Sequence, residues 1–283
     1  MGLNKNIPQA SEAEKEFLLT EKDYQFIQKL AYDETGIVLS DQKRDMVYAR
    51  LVRRLRKLQF KNFSEYCEYL QKNFAIELTD FVNSITTNLT FFFREEHHFE
   101  MLVKLIIPEI QKANKTEKRI RVWSAGSSTG EEPYSIAMTL CELTQLSNWD
   151  VKVLATDLDS NVLATGMAGI YSEERIQSID KTRIKKFFKP HDTDFQVVDS
   201  VKSMISFKQL NLMQEWPMSG KFDLIFCRNV VIYFDKETQK KLFNRYADYL
   251  NENGYLIIGH SESLHGVSDR FKLVGKTVYK KIK

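Results

Sequence analysis

The stretch VWSAGSSTGEE, residues 122–132, decides the fold. A short β-rich run, Arg119 to Ser124, passes through Gly126 and Gly130 into a helical pattern from Pro133 to Leu143. A strand that turns on glycine into a helix is the opening unit of a parallel α/β sheet, because glycine adopts backbone conformations that a Cβ forbids. Working outward, Val151 to Thr156 reads as the next strand and ends at Asp157, and Phe222 to Cys227 and Tyr255 to Gly259 are further apolar runs. An amphipathic segment from Lys236 to Leu250 starts at a capping Asp235. Phe271 to Lys280, with Gly275 and Lys276 at its centre, reads as a closing antiparallel hairpin. Pro190 to Phe207 breaks the alternation with two short β-like pieces and no helix, and reads as a small β insertion.

Upstream, no strand pattern precedes Arg119. Tyr24, Ile27, Leu30 and Ala31 recur at helical spacing and Gly36 is placed to end that helix. Ser40 suits the N-cap of a second helix with an apolar stripe Val47, Leu51, Leu55 and Leu58. Ser64 suits the cap of a third, and Ile76 to Ile85 carry a fourth. We therefore expect a helical domain over residues 1–87 and a catalytic α/β domain over 88–283, with a small β subdomain at about 190–207.

Bulk properties narrow the class. The 283 residues are 43% hydrophobic and 28% charged, as for a globular protein with a real core. No apolar run is long enough to span a bilayer, and the first twenty residues lack the order of a signal peptide, so a cytoplasmic location is expected. The three cysteines, Cys67, Cys141 and Cys227, are dispersed, which argues for free thiols and against a zinc site. A net charge of +3 does not call for nucleic acid. Eight basic residues against one acid lie between Lys43 and Lys61, however. That cluster reads either as a docking face for an acidic partner or as a solvated helix face.

In an open α/β sheet, ligands bind outside the carboxyl ends of the strands, where strand order reverses. Gly126 permits the tight turn there and Gly130 a close backbone approach. Asp157, at the end of the second strand, can accept both hydroxyls of a ribose. Alone, Asp157 is as readily a solvent-facing acid; beside the glycine turn the ribose reading leads. A dinucleotide site wants Gly-x-Gly-x-x-Gly, so that a helix N-terminus receives pyrophosphate. Here Ser128 replaces the middle glycine and Glu131-Glu132 follow. Two carboxylates repel pyrophosphate but suit a ligand with an ammonium and a sulfonium, so S-adenosylmethionine is favoured. Asn211 and Arg228-Asn229 directly follow apolar runs and face the same crevice, although Asn229 alone is also a good turn cap. His97-His98 stand beside Glu95-Glu96, but adjacent residues point to different helix faces and no metal is expected.

Four stretches carry a resemblance: TTNLTFFFRE (86–95), RVWSAGSSTGEEPYS (121–135), FCRNVVIYFD (226–235) and GHSES (259–263). Together they resemble the CheR-type chemotaxis receptor methyltransferases, over nearly the whole chain. The resemblance implies a class I S-adenosylmethionine-dependent methyltransferase fold: a Rossmann-like α/β sheet with an N-terminal all-α domain and a small β insertion. It implies methyl transfer from S-adenosylmethionine to glutamate side chains of chemoreceptors, leaving S-adenosylhomocysteine. By resemblance the cofactor contacts fall on Asn88, Thr90, Arg94, Glu132, Asp157, Asn211, Leu212, Arg228 and Asn229, beside Gly126 of the turn. Arg94 and Tyr233 are the candidates for positioning methyl group and substrate; a surface helix start and a packing role are the competing readings.

By the same resemblance the helical domain docks on the glutamate-rich cytoplasmic helices of receptors, with Arg53, Arg54 and Arg56 as contacts. Some family members capture a receptor-tail peptide with a glycine-containing loop of the β subdomain. Here the corresponding loop, His191 to Asp194, is short, acidic and free of glycine, which argues against that capture. A monomer without direct membrane insertion is expected. A nucleic-acid methyltransferase is disfavoured, because Cys227-Arg-Asn-Val-Val231 lacks the proline turn typical of amino-methylating enzymes. A cofactor-binding regulatory protein without catalysis is the other alternative.

Overall fold

The computed structural model describes residues 15–283. The reading of the chain's start as lacking a signal peptide, and the first part of the expected helical domain, fall on residues 1–14 and lie outside the described residues. The chain groups into two compact units: the chain up to Glu34 with Leu39–Ile85, and Thr35–Val38 with Thr86–Lys283.

The first unit is helical, with helices Glu21–Thr35, Arg44–Leu58, Phe63–Lys72 and Phe74–Ile85. Tyr24, Ile27 and Ala31 of the first and Val47, Leu51 and Leu55 of the second are fully buried. Leu30 and Leu58, at the margins of their stripes, are only half-buried. The first helix stops at Gly36, which takes φ 72. The third is capped by Asn62, whose side chain accepts the Glu65 N–H at 2.9 Å. Ser64, expected in that role, instead donates to Asp23 at 2.9 Å. Both are short polar side chains near the helix start, and the one preceding the first helical residue wins.

The second unit is built on a seven-stranded sheet. In chain order its strands are β1 (Arg119–Ala125), β2 (Asp150–Asp157), β6 (Ile205–Gln209), β7 (Phe222–Cys227), β8 (Leu250–Ile258), β9 (Phe271–Gly275) and β10 (Val278–Lys281). They lie in the order β6-β2-β1-β7-β8-β10-β9. The five from β6 to β8 are parallel, and β10 and β9 close the sheet as the expected antiparallel hairpin. Alternate residues feed two apolar layers. Val122, Leu224, Phe226 and Ile257 face one, and Trp123, Ile225, Cys227 and Ile258 the other. That two-sided burial is why β7 reads as an apolar run, broken only by Asp223, whose carboxylate accepts hydrogen bonds from the Arg121 N–H and from Asn114 and Asn251. Order reverses between β1 and β7, so the crevice opens at the carboxyl end of β1. Pro108 falls inside a helix that continues through a π-helical turn, Leu102–Ile106, which accommodates its missing N–H.

A second sheet has the order β3-β5-β4, with β3 (Ile170–Tyr171), β4 (Phe188–His191) and β5 (Asp194–Val197). The extent of the expected insertion is corrected here. Its second half holds a one-turn helix, Asp199–Lys202, and then β6 of the main sheet, while Ile170–Tyr171 supplies a strand from upstream. A two-residue strand carries no periodic signal, and β6 is a half-exposed edge without clean alternation. Among the described residues, no helix is long and apolar enough to cross a membrane.

Candidate active site

The turn after β1 is tied to β2: Gly126 N–H and Ser127 N–H both donate to Thr156 O, at 2.8 and 2.9 Å. Gly126 takes φ 96 and Gly130 φ 100, conformations that favour glycine. A Cβ at Gly126 would stand 2.3 Å from Val230 Cγ2, so the turn packs directly on the segment that follows β7. A Cβ at Gly130 would meet Gly166 Cα at 2.9 Å and the Tyr171 hydroxyl at 2.7 Å. The close approach expected at Gly130 is therefore to the protein's own chain.

Asp157, at the end of β2, accepts the Ser128 N–H at 2.8 Å and the Asp159 N–H at 3.0 Å, one on each carboxylate oxygen. Each oxygen keeps a second lone pair for a ligand hydroxyl. Burial pushes its carboxyl up to about 6, against the pull of those backbone N–H groups. Asn88 reaches the neighbouring acid: its Nδ2 donates to Asp159 Oδ2 at 2.7 Å, as does Thr86 Oγ1 at 2.8 Å. The Asn88 carbonyl accepts from Ser128 Oγ at 2.9 Å, which joins this segment to the glycine turn. Asp159 is absent from the sequence reading. It is buried and also caps helix Ser160–Ala168. An acid two residues after Asp157 and just before a helix is the signal that would have found it.

The paired glutamates diverge. Glu131 turns to Arg175 at 2.9 Å and to the Thr129 hydroxyl at 2.7 Å. Glu132 accepts from Ser124 Oγ at 2.7 Å and from Arg228 Nη1 at 3.0 Å. Burial raises the Glu132 carboxyl, opposed by Arg228 and Ser124. Arg228 is itself buried, 3.6 Å from Glu95 Oε2, and donates to the Arg94 carbonyl. Glu95, a second residue the sequence reading left out of the site, also bonds His260 Nδ1 at 2.8 Å. Burial alone would raise its carboxyl; the His260 bond and the Arg228 charge outweigh that and hold it low.

His97 and His98 do not diverge as expected: their rings lie 4.1 Å apart. With Glu95 they bring ligand atoms within 4.8 Å of one another. Burial and the Arg228 charge push the His98 imidazole down to about 3. The guanidinium against Glu95 opposes a metal cation there, because like charges at that separation repel.

The remaining candidates sit on the flanking loops. Arg94 Nη1 donates to Leu89 O at 2.9 Å, with its guanidinium over the Phe91 ring, and Thr90 is half-buried nearby in the chain. Asn211, just beyond β6, accepts the Met213 N–H at 2.9 Å, and Leu212 packs on the core. Asn229 takes φ 58, and Tyr233 ends a short 3-10 turn, Val231–Tyr233. Direct hydrogen bonds thus connect Asn88 with Asp157 through Ser128, and Glu132 with Arg228 and the Arg94 backbone. Arg53, Arg54 and Arg56 lie in the helical unit. There Arg54 bonds Glu77 at 2.6 Å and Asp80 at 2.7 Å, Arg56 bonds Glu16 at 3.2 Å, and Arg53 is exposed.

These residues fit S-adenosylmethionine on their own chemistry. Arg228 Nε is buried without a hydrogen-bond partner while its guanidinium faces two carboxylates, Glu132 and Glu95, and Ser127 Oγ of the glycine turn is likewise buried without a partner. Unpaired buried donors next to excess negative charge suit a zwitterion that carries a further positive charge.

Comparison with known proteins agrees. The pattern of the CheR methyltransferase SAM binding domain matches residues 88–280, and that of the CheR methyltransferase all-alpha domain matches residues 22–86. A probable chemotaxis protein methyltransferase of Rhizobium etli is 43% identical, over 89% of this chain and 96% of that protein. The chemotaxis protein methyltransferase of Borreliella burgdorferi is 43% identical over 93% and 95%. That of Escherichia coli K12 is 42% identical over 92% and 91%.

Proposed function

The chain belongs to the CheR methyltransferase family, and on that footing we propose that it methylates glutamate side chains in the cytoplasmic domain of chemoreceptors. It is an S-adenosylmethionine-dependent methyltransferase. The observation that carries the reading is the convergence of Glu132, Asp157 and Arg228 at the carboxyl ends of β1, β2 and β7. When bound, S-adenosylmethionine supplies a sulfonium methyl: the carboxylate oxygen forms the O–CH3 bond as the S–CH3 bond breaks, and S-adenosylhomocysteine leaves.

Asp157 holds the ribose hydroxyls. Glu132, fixed by Arg228 and Ser124, receives the cationic end of the amino-acid portion, with Asn88, Thr90, Gly126, Asn211, Leu212 and Asn229 completing the contacts. Arg94 would orient the substrate carboxylate, and the Tyr233 hydroxyl would help to position the transferred methyl group. A glutamate side chain is ionised near neutral pH, so the chain needs no general base and acts by orientation and exclusion of water.

In the helical domain, residues 1–87, docking rests on the exposed Arg53 and on Arg56, whose partner Glu16 is itself exposed. The Arg54 guanidinium pairs with Glu77 and Asp80, which favours Arg53 and Arg56 as the direct contacts. The two-residue turn Asp192-Thr193 between β4 and β5 has no glycine, which supports an enzyme that works without capturing a receptor tail. We place it in the cytoplasm as a monomer. A receptor fragment whose methylatable glutamates are replaced by glutamine tests the reading: it accepts no methyl, whereas the parent fragment does. Equal labelling of both would overturn it.

A further inference from the structure

The segment between Arg228 and Phe234 carries both Asn229 and Tyr233, and side chains from outside it dictate its shape. Glu262 is buried and accepts three backbone N–H groups. Val231 N–H donates to Oε1 at 3.0 Å; Asn229 N–H and Gly259 N–H donate to Oε2 at 3.0 and 2.6 Å. From the opposite side Gln239, also buried, donates through Nε2 to the carbonyls of Val231 at 2.9 Å and Phe234 at 3.0 Å. Val231 is thus gripped at both ends of its backbone, N–H by an acid and C=O by an amide. The Tyr233 carbonyl is held in turn by the Val38 N–H at 2.8 Å.

Two further observations show that the grip imposes a conformation on the loop. Asn229 is held in the left-handed region, φ 58, which non-glycine residues adopt at a cost. Gly259 lets it approach β8 closely: a Cβ there would stand 2.6 Å from Asn229 Nδ2 and 2.9 Å from Asn229 N. A carboxylate offers lone pairs on two oxygens and no donor, so it can collect several N–H groups where an amide cannot. Burial raises the Glu262 carboxyl, and the backbone N–H groups pull it back towards the charged form.

We propose that Glu262 and Gln239 are positioning residues that set the Asn229–Tyr233 loop, and through it the Tyr233 hydroxyl, for methyl transfer. The proposal rests on the assignment of Tyr233 above. Glu262→Gln sets an amide N–H2 against the loop's donors, and Gln239→Leu removes both donors to its carbonyls at similar volume. Neither side chain is placed in contact with cofactor or substrate.

The test is a double-mutant cycle with Tyr233→Phe, read in kcat of methyl transfer and in the dissociation constant of S-adenosylhomocysteine. Glu262→Gln alone is expected to lower kcat by about tenfold or more, with a smaller loss of product affinity through Asn229 on the same loop. In the Tyr233→Phe background the same substitution is expected to cost less than about threefold, because the residue it acts through is already gone. Gln239→Leu repeats the pattern, and decides the matter if Glu262→Gln does not fold. Equal fold-losses in both backgrounds, as a purely structural role gives, overturn the proposal. So does a loss confined to product affinity. Wild-type turnover in Tyr233→Phe overturns it together with the Tyr233 assignment while leaving methyl transfer intact; no transfer by the wild-type protein overturns the functional reading itself.

Discussion

Arg228 Nη1 lies 3.0 Å from Glu132 Oε2, joining the loop after β7 to the head of the helix after β1. The two residues are 96 positions apart in the chain. The same guanidinium faces Glu95 and the Arg94 carbonyl, so one cation organises three segments assigned here to the cofactor site. It also makes the buried Glu132 and the half-buried Glu95 tolerable side by side.

Removing that cation tests its structural weight. Arg228→Met is expected to leave Glu95 and Glu132 without their shared partner and to destabilise by about 3 kcal/mol or more. For a chain of this size that is a fall in Tm of roughly 5–10 °C, measured by calorimetry. A Tm unchanged within a degree would show that the acids are compensated elsewhere.

Asp157→Ala is expected to weaken S-adenosylhomocysteine binding by about 10- to 100-fold, the loss of two charge-assisted hydrogen bonds. Tyr233→Phe is expected to lower kcat while leaving that affinity within about threefold. Titration calorimetry beside turnover separates them. Equal loss of affinity in both variants contradicts the division of roles.

The Asp157 carboxyl, raised to about 6 by burial, gives cofactor affinity a pH dependence. Only the ionised form accepts both hydroxyls, so affinity is full above that value and is lost as pH falls through it. Between pH 7.5 and 5 the drop attributable to this group is about tenfold. Asp157→Asn is expected to bind weakly and to lose that dependence; an unchanged slope would assign it to another group.

In the helical unit Arg53 and Arg54 are predicted to part company. Arg53→Glu is expected to weaken receptor-fragment binding, and the wild-type interaction to weaken as salt rises from 50 to 300 mM, without change in Tm. Arg54→Ala is expected to lower stability by roughly 3 kcal/mol, because it leaves Glu77 buried without a countercharge and with only the Tyr66 hydroxyl as partner. Binding assays and thermal melts on the two variants check both statements.

The parallel sheet was legible because β7 and the second halves of β1 and β8 are buried on both faces and read as short β-rich or apolar stretches, with β1 leading into the glycine turn. The hairpin at Gly275-Lys276 was legible for its turn residues. β3 and β6 were harder: one has two residues, the other is a half-exposed edge. Within the site, Gly126, Asp157 and Arg228 could be placed because each directly follows or ends a strand. Glu95, Gln239 and Glu262 could not, because their partners are backbone groups or side chains brought to them by the fold; Asp159 carries a local signal, an acid just before a helix, but its bonds to Asn88 and Thr86 come from far along the chain. The Arg54–Glu77 pair is illegible for the same reason: spacing marks Arg54 as part of a basic face, and only the fold brings Glu77 to it.

The methyl acceptor proposed for this enzyme is a carboxylate. Incubating the protein with methyl-labelled S-adenosylmethionine and receptor-bearing membranes, then treating the labelled receptor with mild base, tests it most directly. The expected result is label in the receptor that base releases as methanol, as an ester must. Label that survives base, or label in nucleic acid, would contradict it.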